Sequence, residues 1–170
     1  GLKTVQKVSV KDKNVYEVAI TDTNVYSYVK RFIATDSEYL VIGEFTDGYT
    51  LLLDEEKLVL VKTKDLPSET INGVTASSKQ TLYVASNVNL YYYPVLSLDN
   101  TYCVYEPDAT TPVRFEVSQP LHVEGEINLN GKTFYYVSTT LNGNEFKGYV
   151  PAKFVKDNID VSDPLVKITY

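Results

Sequence analysis

The sequence has few of the residues that most often carry special chemistry. Its 170 residues include no methionine, no tryptophan, one cysteine (Cys103) and one histidine (His122). A single cysteine excludes an intrachain disulfide, and no apolar run approaches the roughly 20 residues of a membrane-spanning helix. Because residue 1 is glycine, we expect a chain trimmed by signal-peptide removal, and hence an extracellular or cell-envelope location. A chain that had been shortened deliberately for expression would begin with the same glycine.

The motifs of metal, cofactor and nucleophile sites are also missing. The chain contains no CxxC, HExxH, GxGxxG, Walker or GxSxG pattern. Cys103 and His122 are the only pair from which a nucleophilic Cys-His site could be built. Cys103 lies in a strand-like stretch near Glu106 and Asp108, and acidic neighbours disfavour a thiolate. We therefore expect that the chain is not an enzyme and binds no metal or cofactor. The sequence does not exclude a pair of carboxylates arranged as in glycosidases.

Positive charge is in deficit. The chain has 16 Lys and Arg against 22 Asp and Glu, a formal net charge of -6. Nucleic-acid binding needs a basic face that displaces phosphate counterions, and docking on anionic lipid also draws on positive charge. The balance argues against nucleic acid and against a membrane surface as partners, and no membrane insertion is expected.

Tyrosine, by contrast, is abundant. There are 15 tyrosines, which together with Val and Ile are typical of strands. Apolar and polar residues alternate in stretches such as NVYEVAITD, KLVLVKT and TFYYVST, and no long stripe has helical periodicity. Tight turns are expected at Asp47-Gly48, Asn72-Gly73, Asn130-Gly131 and Asn142-Gly143. These patterns predict an all-β chain of small barrels or sandwiches.

Two pairs of segments indicate an internal repeat. VAITDTNVYSYV (18–29) aligns with YVASNVNLYYYP (83–94) at an offset of 65 residues. YTLLLDEEKLVLVKTKDL (49–66) aligns with FYYVSTTLNGNEFKGYVPAKFV (134–155), because each holds a strand, a turn, a strand and a closing tight turn. The stretch between the copies is rich in Ser, Thr and Gly, and is interpreted as a linker or a crossing strand pair.

The closing stretch GYVPAKFV, residues 148–155, carries a resemblance to a known family. With VNLYYYP at its opening, the second copy resembles a bacterial Src-homology-3-type domain, and GYVPAKFV also resembles the closing motif of eukaryotic Src-homology-3 domains. Gly148 would let the strand bend and Pro151 would open a 3₁₀ turn. Phe154 and Val155 would then return as a strand. The resemblance implies a small barrel of five or six strands.

The fold predicted from these observations is all-β, with two small Src-homology-3-like barrels in tandem. The first copy lacks the closing Gly and Pro and is interpreted as degenerate. The predicted boundaries are 1–66 for the first barrel, 67–80 for a linker, 81–157 for the second barrel with a long loop insertion, and 158–170 for a C-terminal extension.

The tyrosines predict a binding surface on the second barrel. Residues two apart on a strand share a face, so either Tyr91 and Tyr93 or Tyr92 should be exposed. Exposed tyrosine suits peptides and sugars. Tyr93 and Phe134 are 41 positions apart, which predicts a long loop between them, and in the family resembled that loop flanks the ligand groove. The predicted ligand-binding residues are Tyr91, Tyr93, Tyr102, Tyr105, Tyr149 and Pro151.

Acidic residues of the same loop complete the predicted groove. Asp99, Glu106 and Asp108 would form a rim that favours an extended peptide with a basic or amine-bearing residue. The alternative is that CVYEPDATTPVRFEV is an extra hairpin, with Arg114 neutralising Glu106 or Glu116.

Two main functions remain open. The first is a non-catalytic extracytoplasmic module that binds cell-wall peptide, such as a peptidoglycan stem peptide, or a protein partner through the aromatic groove. The second is a structural spacer or assembly domain of a larger surface protein with no ligand of its own. A third, weaker hypothesis is an inhibitor or immunity-type protein that blocks a secreted enzyme.

Overall fold

The computed structural model describes residues 5–21, 25–44, 47–55, 57–96 and 100–159. Within these ranges every regular element is a β-strand or a short 3₁₀ turn, which confirms the all-β prediction. None of the described residues forms a helix long and apolar enough to cross a bilayer. The chain divides into two compact units, residues 3–73 and residues 1–2 with 74–170.

The unit of residues 3–73 is built on one long hairpin. Its strands are β1 (Gln6–Thr21), β2 (Val25–Glu44), β3 (Tyr49–Asp54), β4 (Lys57–Lys62) and β5 (Ile71–Asn72). β1 and β2 pair antiparallel along their whole length. The β3–β4 hairpin pairs with β2 on one side and β1 on the other, so these four strands close into a ring. After a 3₁₀ turn at Thr63–Asp65, β5 returns to pair with the start of β1.

Strand alternation gives this unit its core. Val8 and Val10 are buried while Ser9 and Lys11 between and beside them are exposed, as expected for a strand with one face on a core. The buried cluster consists of Val8, Val10, Val15, Ala34, Tyr39, Leu52, Val59 and Val61. Each such apolar side chain contributes about 1.5 to 3 kcal/mol when fully buried, so the pattern of β1, β2, β3 and β4 fixes which faces turn inward.

The unit of residues 74–170 has a second sheet and a small added one. Its strands are β6 (Thr81–Val84), β7 (Val88–Asn89), β8 (Arg114–Phe115), β9 (Pro120–Leu129), β10 (Lys132–Leu141), β11 (Asn144–Pro151) and β12 (Val155–Lys156). The order in the main sheet is β11-β10-β9-β6-β12, and β7 pairs with β8 separately. A 3₁₀ turn at Ala152–Phe154 leads from Pro151 into β12, which pairs with β6. The expected role of Pro151 and of the closing strand is thereby confirmed.

The hairpin turns follow the sequence closely. Asn130 and Gly131 have φ of 51° and 81°, and Asn142 and Gly143 repeat these values. Two positive φ angles in succession define the type I′ turn that Asn-Gly favours. Asn72-Gly73 was wrongly expected to be a turn. Asn72 ends β5, and the Gly73 N–H donates to the Val5 carbonyl at 2.7 Å, because this dipeptide completes a strand pairing.

Residues 85–119 connect β6 to β9 and are called the insertion, of which 97–99 lie outside the described residues. Backbone hydrogen bonds fold its described part. The N–H of Leu90 donates to the Val113 carbonyl (3.0 Å), that of Val104 to the Leu90 carbonyl (2.9 Å) and that of Val113 to the Val104 carbonyl (2.8 Å). Tyr105 pairs with Pro112 in an isolated bridge. The extra hairpin weighed as an alternative is therefore present.

Gly148 lets the insertion approach β11. A Cβ atom on Gly148 would lie 2.6 Å from the Tyr91 carbonyl oxygen and 2.8 Å from Leu90 Cγ. The backbones of Tyr91 and Tyr149 then exchange two hydrogen bonds of 3.0 and 2.7 Å. Gly148 is thus required for close packing with its neighbours, in addition to any bend that it allows.

The two units share the order of their closing elements. Each has a hairpin followed by a 3₁₀ turn, as the alignment of 49–66 with 134–155 predicted. Each also has a short strand that returns to the unit's first strand, which in the first unit lies beyond the aligned segment. The alignment of 18–29 with 83–94 does not correspond to the same local structure in the two units. Tyr26 and Tyr28 lie in the 20-residue strand β2, whereas Tyr91 makes only isolated bridges.

The predicted linker is shared between the two units. Ile71 and Asn72 pair with β1, while Thr75 pairs with Glu126 of β9, and the division falls after Gly73. Within the predicted C-terminal extension, residues 160–170 lie outside the described residues.

Candidate ligand-binding site

A pocket lies where the β10–β11 hairpin meets the second 3₁₀ turn. The Asn142-Gly143 turn pairs residues equidistant from it, which sets Phe134 opposite Pro151. The pocket has a volume of about 340 Å³. Its lining residues are Leu96, Lys132, Thr133, Phe134, Pro151, Ala152 and Lys153.

The pocket combines an apolar floor with basic side chains. Phe134 and Pro151 are buried and Leu96 is half-buried, whereas Lys132 and Lys153 are exposed. The Lys153 ammonium lies 5.3 Å from the centre of the Phe154 ring, within cation–π range. An apolar group could occupy the floor while a carboxylate meets the ammonium groups.

Tyr91 and Tyr149 belong to the interior of the unit. Tyr149 is 0% exposed and Tyr91 is 6% exposed, and the Tyr149 ring packs 5.0 Å from that of Tyr136. The placement differs from the expected surface groove because the insertion covers β11 at this point. Neither ring is available to stack on a ligand.

The Tyr149 hydroxyl is buried without a hydrogen-bond partner among the described residues. Burial, and secondarily Tyr136, raises the pKa of this hydroxyl well above the ordinary value of 10.0. A buried hydroxyl that makes no hydrogen bond costs stability, so Tyr149 acts as a packing residue with an energetic penalty.

Tyr93, Tyr102 and Tyr105 lie within the insertion and are half-buried. The rings of Tyr93 and Tyr102 meet edge to face at 6.3 Å, and the Tyr105 hydroxyl donates to the Asn100 carbonyl at 3.0 Å. None of the three lines the pocket, so only Pro151 of the predicted residues does. Tyr92, in the alternative set, is the exposed member of its stretch.

The expected acidic rim takes a different form. Both carboxylate oxygens of Asp108 accept hydrogen bonds within its own turn, from the Thr110 and Thr111 N–H groups and from the Thr111 hydroxyl. These bonds lower the pKa of Asp108 from 3.8 to about 2. Asp99 lies outside the described residues. Arg114, which was expected to neutralise Glu106 or Glu116, donates a hydrogen bond to the Asn89 side chain at 3.2 Å.

Cys103 and His122 occupy different surroundings. Cys103 is buried in the insertion, where its thiol lies 3.8 Å from the Asn100 side-chain oxygen. His122 is exposed on β9, with its Nε2 atom 3.9 Å from Glu124. No cluster of three His, Cys, Asp or Glu side chains suited to a metal ion occurs within the described ranges.

The pocket-lining residues other than Pro151 were missed from the sequence, although one signal was present. The two-residue turn at Asn142-Gly143 fixes the hairpin register, and this register alone places Phe134 beside Pro151. Lys132 and Lys153 give no periodic signal of their own, because exposed lysines at strand ends and turns are common.

Comparison with known proteins gives distant structural similarity. No family model matches the sequence, and no curated protein matches it. Among solved structures, NlpC2 from Trichomonas vaginalis aligns with a TM-score of 0.30 and 12% identity, covering 91% of this chain and 48% of that one. NlpC1 from the same organism aligns with a TM-score of 0.31 and 12% identity, covering 92% and 47%. This chain therefore spans about half the length of each of these two structures.

Proposed function

We propose that the chain is a non-catalytic, extracytoplasmic binding module that holds an extended peptide, from the cell wall or from a protein partner, at the pocket beside Pro151. The observation that carries this proposal is the apolar pocket between Phe134 and Pro151 with Lys132 and Lys153 at its margin. A pocket of this size that joins apolar walls to a few charged groups is typical of a ligand site.

The fold supports the same proposal. We propose that each unit is a Src-homology-3-like barrel, because each ends in a hairpin, a 3₁₀ turn and a strand that returns to the first strand. In the second unit the pocket sits directly at that 3₁₀ turn, where Pro151 precedes Ala152–Phe154.

The basic and apolar side chains of the pocket determine which peptides would fit it. The lysines favour a segment with a carboxylate next to an apolar side chain, in place of the basic residue expected from the sequence. A cell-wall stem peptide with free carboxylates meets this requirement, and so does an acidic segment of a protein.

The test is a titration of the ¹⁵N-labelled chain with a soluble stem peptide and, separately, with the same peptide whose carboxylates are amidated. We expect shifts in the amides of Lys132, Thr133, Ala152 and Lys153, and weaker binding after amidation. Lys153→Glu should weaken binding about fivefold, as expected for reversal of an exposed charge.

Lys64→Glu is the matched control. Lys64 is the middle residue of the first 3₁₀ turn, as Lys153 is of the second, and both are exposed. Shifts confined to residues 3–73, or equal losses in the two variants, would count against the pocket as the site.

A structural spacer is the second candidate, and the burial of Tyr91 and Tyr149 favours it. Tyrosines that were expected to form a ligand surface serve instead to pack the insertion on β11. If millimolar peptide produces no shifts anywhere in the chain, the spacer is the better account.

A further inference from the structure

The middle of β2 presents a strand edge. β1 pairs with one side of β2 along its length, while β3 pairs with the other side only at residues 40–44. Register irregularities of the β1–β2 pair lie near Val29, opposite Glu17 and Val18, and at Asp36, which has a φ of 63°. A third lies on the β1 side, between Lys11 and Asn14, opposite Thr35 and Ile33. Between Val29 and Asp36, residues 30–35 (KRFIAT) form what we call the β2 edge, to which no other strand of the described ranges pairs on its outer side.

The side chains of the β2 edge alternate clearly between core and solvent. Phe32 packs against the core cluster and Ala34 belongs to it, whereas Arg31, Ile33 and Thr35 are exposed. Ile33 is 61% exposed, which is a large exposure for a β-branched apolar residue on a strand.

Exposed apolar residues also concentrate nearby. Ile20, Tyr28 and Val29 of the same hairpin are 49%, 67% and 48% exposed. An exposed edge with apolar side chains is a template for pairing with another strand.

We propose that the β2 edge binds an extended segment of a protein partner as an added strand, with a carboxylate beside Arg31 and apolar side chains beside Val29 and Ile33. Backbone hydrogen bonds to an unpaired edge supply affinity in this mode, and side chains at alternate positions supply specificity. Arg31 and Ile33 are two apart on the β2 edge and share a face, so the partner strand has an acidic residue two positions from an apolar residue. Val29 is exposed at the register irregularity that precedes the edge, and a second apolar residue of the partner, on the other side of the acidic one, meets it. The site lies on the unit of residues 3–73 and does not depend on the pocket beside Pro151.

Charge argues against a second copy of this chain in the register that would bring Val29 of one copy to Ile33 of the other. In a twofold antiparallel pair, contact between Val29 of one copy and Ile33 of the other requires a centre at residue 31. Arg31 would then lie directly opposite Arg31, and each Lys30 would lie nearby. Like charges directly opposite on paired strands are destabilising, whereas an acidic partner strand turns the same side chains into attractive contacts.

The experiment uses the whole chain and a synthetic peptide in which Val, Glu and Ile occupy alternate positions separated by threonine. A second peptide carries Lys in place of Glu. We expect the first peptide to bind and to slow hydrogen exchange of amides within residues 30–35, while the Lys peptide binds about fivefold more weakly. Arg31→Glu should reverse that preference.

Ile33→Lys should lower affinity for the Glu peptide roughly tenfold, which corresponds to about 1.4 kcal/mol. Ile71→Lys is the matched control, because Ile71 is similarly exposed (64%) but lies on β5, and it should leave binding unchanged. Three results would each overturn the proposal: protection outside β2, no change of preference in Arg31→Glu, or a dimer of the unliganded chain that Ile33→Lys dissolves.

Discussion

The two units differ in what the chain builds after the first strand of each. In residues 3–73, β1 and β2 extend as one hairpin whose outer edge is open at residues 30–35. In residues 74–170, the insertion between β6 and β9 folds on itself and bonds to β11 through Tyr91 and Tyr149. The long hairpin therefore presents backbone groups of β2 for pairing, whereas the insertion uses its backbone groups within itself and on β11.

The largest effect expected from this comparison concerns two glycines. Gly148→Ala should lower the free energy of unfolding by about 3 kcal/mol, because the new methyl group overlaps backbone and a packed leucine. Gly43→Ala in β2 meets its nearest atom only at 3.9 Å and should cost less than about 1 kcal/mol. Urea denaturation of both variants tests the difference. Equal losses would show that the insertion does not constrain β11.

Two buried tyrosines should respond to loss of the hydroxyl with opposite signs. Tyr149→Phe should raise the free energy of unfolding by about 1 kcal/mol, because it removes a buried hydroxyl with no partner. Tyr39→Phe in the other unit should lower it by about 1 kcal/mol, because the Tyr39 hydroxyl is hydrogen-bonded to Ser37. Thermal and urea unfolding would measure both. Destabilisation by Tyr149→Phe would indicate a partner for that hydroxyl, such as an internal water.

The same two tyrosines predict a loss of stability in alkali. Burial raises the pKa of Tyr149 and of Tyr39 above 10.0, so the folded chain retains protons that the unfolded chain releases. Stability should therefore be complete below pH 10 and decline as the pH rises further. Tyrosinate absorbance during alkaline titration should show Tyr149 ionising last, because burial raises its pKa most. Replacing Tyr149 by Phe should flatten the decline.

The smallest effect concerns the turn within the insertion. The pKa of Asp108 is lowered from 3.8 to about 2, so its contribution is present above pH 3.8 and is lost as the pH falls towards 2. Asp108→Ala should remove this acid dependence and increase exchange of the Thr110 and Thr111 amides. Asp12→Ala, an exposed aspartate of the β1–β2 hairpin, controls for the change in net charge and should leave those amides unaltered.

The parts of the fold that were predictable have strong local signals. Alternation marks the strands, and the Asn-Gly turns at 130–131 and 142–143 fix the register of β9, β10 and β11. The segment between Tyr93 and Phe134 was predicted as a long loop, with a hairpin as the alternative, and this was wrong for its second half, which forms β9 (Pro120–Leu129) and pairs with β10. The pairings of the insertion at Tyr91 and Tyr105 involve single residues, which leave no period in the sequence.

The site was harder to predict than the fold. Tyrosine abundance indicated aromatic surface, but the burial of Tyr149 depends on the covering insertion, which is a tertiary effect. The pocket joins Phe134 to Lys153 across a hairpin and a 3₁₀ turn, and only Pro151 had a motif to mark it. The β2 edge could not be predicted from the sequence, because alternation indicates which face of a strand is buried but not which strands pair with it.

The return of each last strand to the first has a consequence for the order of events during synthesis. β5 pairs with Gln6 and Lys7, and β12 pairs with Tyr83 and Val84, so neither sheet is complete until its final residues have been made. Pairings that join the two ends of a unit are non-local and slow to form. A nascent chain that stops short of Val155 holds β6 without β12, and its open edge is then a temporary target for chaperones and for misassembly.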